Sequence, residues 1–465
     1  MAQAEHFDAL IVGSGTGGTQ LALALGGAGK RVAVVERRWI GGSCPNVNCL
    51  PSKNEIFTAK IIETIRRYAG QFGSVAAPFS VDMVEVRARK RVMVEELSAA
   101  ILEAYKANDV TLVSGDGRFV EPRTVEVVLN GGDTRMLTAG QIYLNLGTRA
   151  SIPPLPGLAA SGALTNIEAL ELDRVPAHLL VLGGGYVALE LAQAFSRFGS
   201  RVTIIERQQM IASREDLDIG TEILRFLTEE GIDIVTSAEA LRVDGRSGQE
   251  IRLHLRTASG TRDITASDIL VATGRKPNTT GIGLEIADVA LDTRGYIKVG
   301  DRLETSAPGI WALGECAGSP QFTHVSYDDC RVLQSAMAGG QRTTANRLVP
   351  YSMFTDPPLA RVGLSESQAR RAGIGHRVAK LPMKAVLRTR TTGETAGFMK
   401  AVIDASSDRI LGFAMIGAEA SEIMPIVQTA MLAGMPYTGL RDAIFAHPTL
   451  AEGLIGLFSG VPAMD

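Results

Sequence analysis

Two of the chain's four cysteines, Cys44 and Cys49, stand five positions apart in Gly41-Gly42-Ser43-Cys44-Pro45-Asn46-Val47-Asn48-Cys49-Leu50-Pro51-Ser52-Lys53. Thiols do nucleophilic and redox chemistry when their surroundings favour the thiolate. A regular helix would hold these two apart. Five residues of rise come to roughly 7.5 Å, beyond the usual Cα separation across a disulfide. Pro45 suits a first helical turn, and Pro51 is expected to bend the chain after it. Cys44 is then expected near a helix N-terminus, where the dipole and free amides lower a thiol pKa. Lys53 follows Cys49 by four residues, close enough on a helix to favour a thiolate there. The bland alternative is a pair of small buried hydrophobes.

Positioning such a pair falls to the elements around it. Residues 7–12 read as a strand, Gly13-Ser14-Gly15-Thr16-Gly17-Gly18 as a loop, residues 19–28 as a helix and 31–35 as a strand ending in Glu36. This is a βαβ dinucleotide-binding pattern. Gly13, Gly15 and Gly18 permit a tight turn and close approach to a pyrophosphate, and Glu36 accepts from ribose hydroxyls. The pattern recurs with a strand at 179–182, the loop Gly183-Gly184-Gly185-Tyr186-Val187-Ala188, a helix at 189–198 and a strand at 201–205 ending in Glu206. Two such units imply two dinucleotides in separate domains. Leu144-Asn145-Leu146-Gly147-Thr148 closes the first half of the first domain, and Pro153-Pro154-Leu155-Pro156-Gly157 crosses to the second. Residues 269–278, with Ala272-Thr273-Gly274-Arg275, end the second unit. Residues 66–107, rich in Glu, Arg and Ala, are expected to form long helices.

A length of 465 residues suits two to four domains. The net charge of −3, without a basic run, gives no support for nucleic-acid binding. The first eight residues carry Glu5 and Asp8 and lead into a glycine loop, so no secretory leader is expected. No stretch of 18 uninterrupted apolar residues occurs, so no membrane span is expected. Scarce cysteine suits a reducing cytoplasm in which a disulfide is transient. Cys316 and Cys330 read as buried structural residues, and no metal site is expected.

The segment from Gly41 to Lys53 resembles the redox-active disulfide of the flavin-dependent disulfide reductases, the class I family of dihydrolipoamide dehydrogenase, glutathione reductase and mercuric reductase. Their pattern is Gly-Gly-Thr-Cys, four residues, Cys, then Pro-Ser-Lys or Pro-Thr-Lys. This chain departs from it with Ser43, Pro45 and Asn48, the last where Gly is common. Gly309-Ile310-Trp311-Ala312-Leu313-Gly314-Glu315 resembles the family's second flavin motif, with Glu315 in place of an Asp that bonds the ribityl chain. Phe354-Thr355-Asp356-Pro357-Pro358 and Arg361-Val362-Gly363-Leu364 resemble the start of the interface domain, closest to mercuric reductases. His447-Pro448-Thr449-Leu450-Ala451-Glu452 follows the family's His-Pro-Thr-x-x-Glu pattern. The resemblance covers essentially the whole chain.

The resemblance implies an α/β protein with two Rossmann-like domains, for FAD and NAD(P), and an α+β C-terminal dimerisation domain. The boundaries are 1–152 and 277–346 for FAD, 153–276 for NAD(P) and 347–465 for the interface. FAD contacts are expected from Gly13, Gly15, Gly18, Glu36, Gly42, Ser43, Lys53, Gly147, Thr148, Gly314 and Glu315. Nicotinamide-nucleotide contacts are expected from Gly183, Gly185, Glu206, Arg207, Gly274 and Arg275. Hydride is expected to pass from NAD(P)H through FAD to a Cys44–Cys49 disulfide and on to a small disulfide or electrophile. Cys49 would be the thiolate beside the flavin and Cys44 the interchange thiol. Lys53 and Glu190 would pair near the flavin, and Tyr186 would cover the nicotinamide pocket. His447, oriented by Glu452, would serve the disulfide of the other subunit of a homodimer, with a cis His-Pro bond. Glu206 favours NADH, whereas Arg207 and Arg214 could receive a 2′-phosphate; the balance leans to NADH. Competing readings are a mercuric-ion or other metal or electrophile reductase, and a dihydrolipoamide dehydrogenase. Against the mercuric reading stand the chain's end without a cysteine pair, the lack of an N-terminal metal-capturing extension, and His447 where those enzymes have Tyr. Outside turnover, the chain would be a flavin redox sensor or a subunit of a larger complex.

Overall fold

The computed structural model describes residues 4–68 and 80–464. The expected helical stretch 66–107 therefore lies partly outside the described residues. The apolar run near the N-terminus forms the strand Glu5–Val12, which has parallel neighbours on both sides, Val32–Glu36 and Thr134–Leu144. A strand buried on both faces is apolar at nearly every position rather than alternately. Val110–Glu121 lies parallel outside Val32–Glu36, and Thr124–Leu129 runs antiparallel to Val110–Glu121 and Thr134–Leu144. The strand Ile310–Ala312 comes back from far along the chain to pair in parallel with Thr134–Leu144. That return completes a six-stranded sheet.

After Glu5–Val12 the chain turns through Gly13 into helix α1, Thr16–Gly27. Gly13 has φ +100°, and a Cβ there would sit 2.3 Å from the carbonyl oxygen of Asn145, so only glycine fits. The Asn145 side chain accepts from the Gly18 amide and donates to the Leu313 carbonyl, stitching the glycine loop to the returning strand. Helix α2 is Ser43–Val47, α3 is Cys49–Tyr68 and α4 is Met83–Ala107. Asp82 caps α4 by accepting from the Val84 and Glu85 amides. Thr165 and Glu168 form a capping box on the short helix α5, Asn166–Ala169.

The second glycine unit builds a four-stranded parallel sheet in the order Asp268–Val271, His178–Leu182, Arg201–Ile205, Asp233–Val235. Its helices are α6, Tyr186–Phe198, and α7, Leu217–Glu229. Three antiparallel strands, Glu239–Arg246, Glu250–Thr257 and Gly260–Ala266, were not foreseen from the sequence. A two-stranded ribbon, Thr148–Ala150 against Arg275–Pro277, connects the two units. Helix α8, Thr323–Met337, follows the returning strand. A five-stranded antiparallel sheet then begins at Tyr351–Met353 and packs beneath the helix Ala420–Leu432. No described helix is long and apolar enough to cross a membrane.

Buried ion pairs join the second unit to the C-terminal sheet. Lys400, 2 % exposed, meets Asp216 at 3.0 Å, Asp218 at 3.2 Å and Glu366 at 2.7 Å. Arg197 bridges Glu230 at 2.7 Å and Asp356 at 2.8 Å. Removing one partner of such a cluster leaves like charges buried together. Lys400→Met is expected to lower stability by about 3–5 kcal/mol, measured by urea denaturation at neutral pH, with Lys400→Arg much less affected. Equal stability of wild type and Lys400→Met would show that the cluster does not hold the units together.

Candidate active site

The helix breaks between the two cysteines. Asn48, with φ −130° and ψ −104°, ends α2, and Cys49 begins α3. This corrects the role expected of Pro51. It is the third residue of α3 and bends nothing, because a first-turn residue has no intrahelical partner for its amide and proline lacks that amide. The Ser52 amide reaches the Asn48 carbonyl at 3.0 Å. Asn46 donates to the carbonyls of Ile40 and Gly42, both at 2.8 Å. Gly42, φ +74°, lies against the first glycine loop, and a Cβ there would come within 2.6 Å of Gly15 Cα.

Both thiols are half-buried and free, as in the reduced form of a redox pair. The Cys49 thiol is pulled down to about 6. A hydrogen bond from Cys44 is the main cause, helped by the Thr323 hydroxyl at 3.4 Å and the Lys53 charge, and opposed by burial and by Glu315. Cys44 moves the other way, raised by its hydrogen bond to Cys49 and by burial. The lowered pKa expected at Cys44 is therefore corrected. Two adjacent sulfurs share one negative charge, and a second beside it is repelled. The five residues of α2 offer little dipole against that repulsion.

Lys53, on the first turns of α3, pairs with Glu190 of α6 at 2.7 Å. Its ammonium also lies 4.9 Å from the centre of the Phe354 ring. The other oxygen of buried Glu190 accepts from the Phe354 amide at 2.8 Å. Three segments distant in sequence thus meet at Lys53.

Neither Gly15 nor Gly185 carries a side chain that caps the helix it opens, and at α1 the Gly18 amide is taken by Asn145. Open amides at the N-termini of helices of this length attract anions. A Cβ on Gly185 would meet nothing within 4 Å, so there is room for a phosphate group, and these residues fit dinucleotides. Glu36 accepts from the Ser14 amide and hydroxyl and from the Arg38 and Trp39 amides. Glu206 accepts from the Gly184 and Gln208 amides and keeps acceptor capacity for a ligand. Arg207 and Arg214 are exposed.

Gly147 and Gly274 flank the two-stranded ribbon, Thr148 and Arg275 lie in it, and Ser43 opens α2. The Arg275 guanidinium donates to the Thr148 hydroxyl at 2.7 Å and lies 3.4 Å from the Glu315 carboxylate. Thr148 also donates to Glu315. The longer acid is thus held toward Thr148 and Arg275, and near enough to Cys49 to raise its pKa. Tyr186 and Tyr351 both donate to buried Glu215, which pairs with Arg361 at 3.0 Å. Cys316 and Cys330 are fully buried, as a structural role requires.

His447 follows the short helix Tyr437–Arg441 in the C-terminal segment. Its Nδ1 lies 2.8 Å from Glu452 Oε2, its side chain is 64 % exposed, and its bond to Pro448 is cis. A carboxylate only accepts, so Nδ1 carries the proton and Nε2 faces outward.

Several neighbours of the site carried no sequence signal. Thr323 touches Cys49 because α8 starts there. Asp329, inside α8, takes the Gly314 amide at 2.8 Å and the Arg347 guanidinium at 2.5 Å. Glu215 is one acid among many until the fold buries it.

Residues 7–329 match the family model described as pyridine nucleotide-disulphide oxidoreductase, and residues 349–456 match its dimerisation domain. The chain is 35 % identical over 459 residues to a probable pyridine nucleotide-disulfide oxidoreductase, RclA, of Escherichia coli, covering 97 % of this chain and 99 % of that one. It is 34 % identical to a dihydrolipoyl dehydrogenase of Thermus scotoductus, with coverages of 97 % and 96 %. A mercuric reductase of Acidithiobacillus ferrooxidans is also 34 % identical, with coverages of 96 % and 80 %. The solved Cu(II) complex of the HOCl-induced flavoprotein disulfide reductase RclA from E. coli superposes with a TM-score of 0.89 at 34 % identity, covering 98 % and 99 % of the two chains. With α/β glycine units, a paired-thiol helix break and a C-terminal sheet all in place, the protein belongs to the class I pyridine nucleotide–disulfide oxidoreductases and is a flavoprotein enzyme.

Proposed function

We propose that the protein is an NADH-dependent reductase of small disulfides, acting as a homodimer through the Cys44–Cys49 pair. The observation that carries this reading is the helix break that sets two free thiols together, with the Thr323 hydroxyl against Cys49 and the Lys53–Glu190 pair close by. Segments 1–152 and 277–346 would form the flavin domain, 153–276 the nicotinamide-nucleotide domain and 347–465 the dimer contact. FAD would be held by Gly13, Gly15, Gly18, Glu36, Gly42, Ser43, Lys53, Gly147, Thr148, Gly314 and Glu315. Bound there, it supplies a two-electron relay between nicotinamide and thiols. NADH would be held by Gly183, Gly185, Glu206, Gly274 and Arg275 beneath Tyr186. A transient disulfide of this kind belongs in the cytoplasm.

Cys44 must lose its proton to attack. His447 Nε2 of the second subunit is the base, with Glu452 fixing its tautomer. The Cys44 sulfur attacks one substrate sulfur, the substrate S–S bond breaks, and the departing thiolate takes the proton from the imidazole. The Cys49 thiolate then attacks the Cys44 sulfur of the mixed disulfide. The second product leaves as a thiolate, and a Cys44–Cys49 bond remains for re-reduction. A second reading, favoured by the Cu(II) complex of RclA, is reduction of a thiophilic metal ion at the same pair.

A thiolate absorbs in the ultraviolet, and this absorbance in the reduced protein is expected to rise with pH through a midpoint near 6. In Cys44→Ala the midpoint should move upward as the hydrogen bond is lost; an unmoved midpoint contradicts the charge sharing. His447→Gln is expected to slow disulfide turnover by about 10²–10⁴ while flavin reduction by NADH continues; equal slowing of both steps would remove His447 from thiol exchange. Glu206 repels a 2′-phosphate, so kcat/KM for NADH should exceed that for NADPH by about tenfold or more, and Glu206→Gln should narrow the gap. A preference for NADPH would overturn this assignment.

A further inference from the structure

The hinge between the two cysteines has a partner from elsewhere in the chain. The Asn166 side-chain amide donates to the Val47 carbonyl and to Asn48 Oδ1, each at 2.7 Å. Val47 is the last residue of α2. In a continuous helix its carbonyl would accept from the residue four positions on, which here is Pro51 and has no amide hydrogen. The carbonyl exposed by the break is therefore met by Asn166. The second acceptor is Asn48, the residue that stands where the resembled family commonly has glycine.

Asn166 is itself held firmly. It opens α5, whose capping box fixes Thr165 before it. Leu164 runs parallel to the second sheet, donating to the Ile269 carbonyl and accepting from the Val271 amide, both at 2.8 Å. The hinge of the thiol pair is thus anchored to the edge of the nicotinamide-side sheet, not only to the unit that carries the cysteines.

We propose that Asn166 is a positioning residue for the thiol pair: by holding Val47 and Asn48 it fixes the break so that the Cys44 and Cys49 sulfurs stay adjacent. This rests on the reading of Cys44 and Cys49 as the redox pair. Held sulfurs close a disulfide at lower entropic cost than sulfurs on a loosened hinge. Without Asn166 the bond forms less favourably, and the hydrogen bond that keeps Cys49 ionised weakens with it.

The test equilibrates holoenzyme with glutathione and glutathione disulfide. Each glutathione disulfide consumed yields two glutathione thiols and oxidises Cys44 and Cys49 to one disulfide, scored by alkylation and mass. Asn166→Ala should lower the equilibrium constant for bond formation about tenfold, raising the potential by about 30 mV, and shift the Cys49 thiolate titration upward. Asn166→Ser, which is too short to reach the hinge, should behave alike and serves if the alanine variant is poorly folded. In an Asn48→Gly background the loss on removing Asn166 should be smaller, since one acceptor is already gone. A constant for both Asn166 variants within about twofold of wild type overturns the proposal while the redox pair stands. If the wild-type pair forms no bond in any glutathione buffer, the redox reading itself falls.

Discussion

One negative charge placed between two sulfurs governs the site. Cys49 takes it because Cys44 donates a hydrogen bond, Thr323 adds another and Lys53 stands nearby. Cys44 keeps its proton for the same reason. The two sulfurs can share a charge only if they are adjacent, and adjacency requires the helix to break between them. The break in turn has Gly42 lying on Gly15, Asn46 holding the preceding carbonyls and Pro51 in the first turn of the new helix, where no amide is needed.

The wider fold brings charge to the same place. Glu190 arrives on α6 to pair with Lys53, and Phe354 arrives with the C-terminal sheet to cover the pair. Glu315 comes back with the returning strand and opposes the Cys49 thiolate. A cation and an anion acting in opposite directions leave the thiolate poised rather than deeply stabilised, as a reversible electron carrier needs. The buried pairs of Arg197, Lys400 and Arg361 keep the second unit and the C-terminal sheet in register with this arrangement.

Local patterns were legible in the sequence because each depends on near neighbours. The glycine loops, the strands ending in Glu36 and Glu206 and the thiol spacing read directly, whereas the return of Ile310–Ala312 came from the resemblance to the second flavin motif. Two expectations failed because the helix break between Cys44 and Cys49 sets the geometry there. Pro51 looked like a bend, yet Asn48 takes the bend and Asn166, over a hundred residues on, completes it. Cys44 looked like the acidic thiol, yet its neighbour across the break takes the charge. The antiparallel strands from Glu239 to Ala266 carry no chemistry-bearing motif, and only pairing reveals them.

The most direct measurement counts thiols before and after reduction by NADH under anaerobic conditions, using alkylation in denaturant and then mass analysis. Air-equilibrated holoenzyme should label at Cys316 and Cys330 alone, and NADH should add label at Cys44 and Cys49 and nowhere else. Labelling of all four cysteines before NADH, with no change after it, would contradict electron flow through this pair.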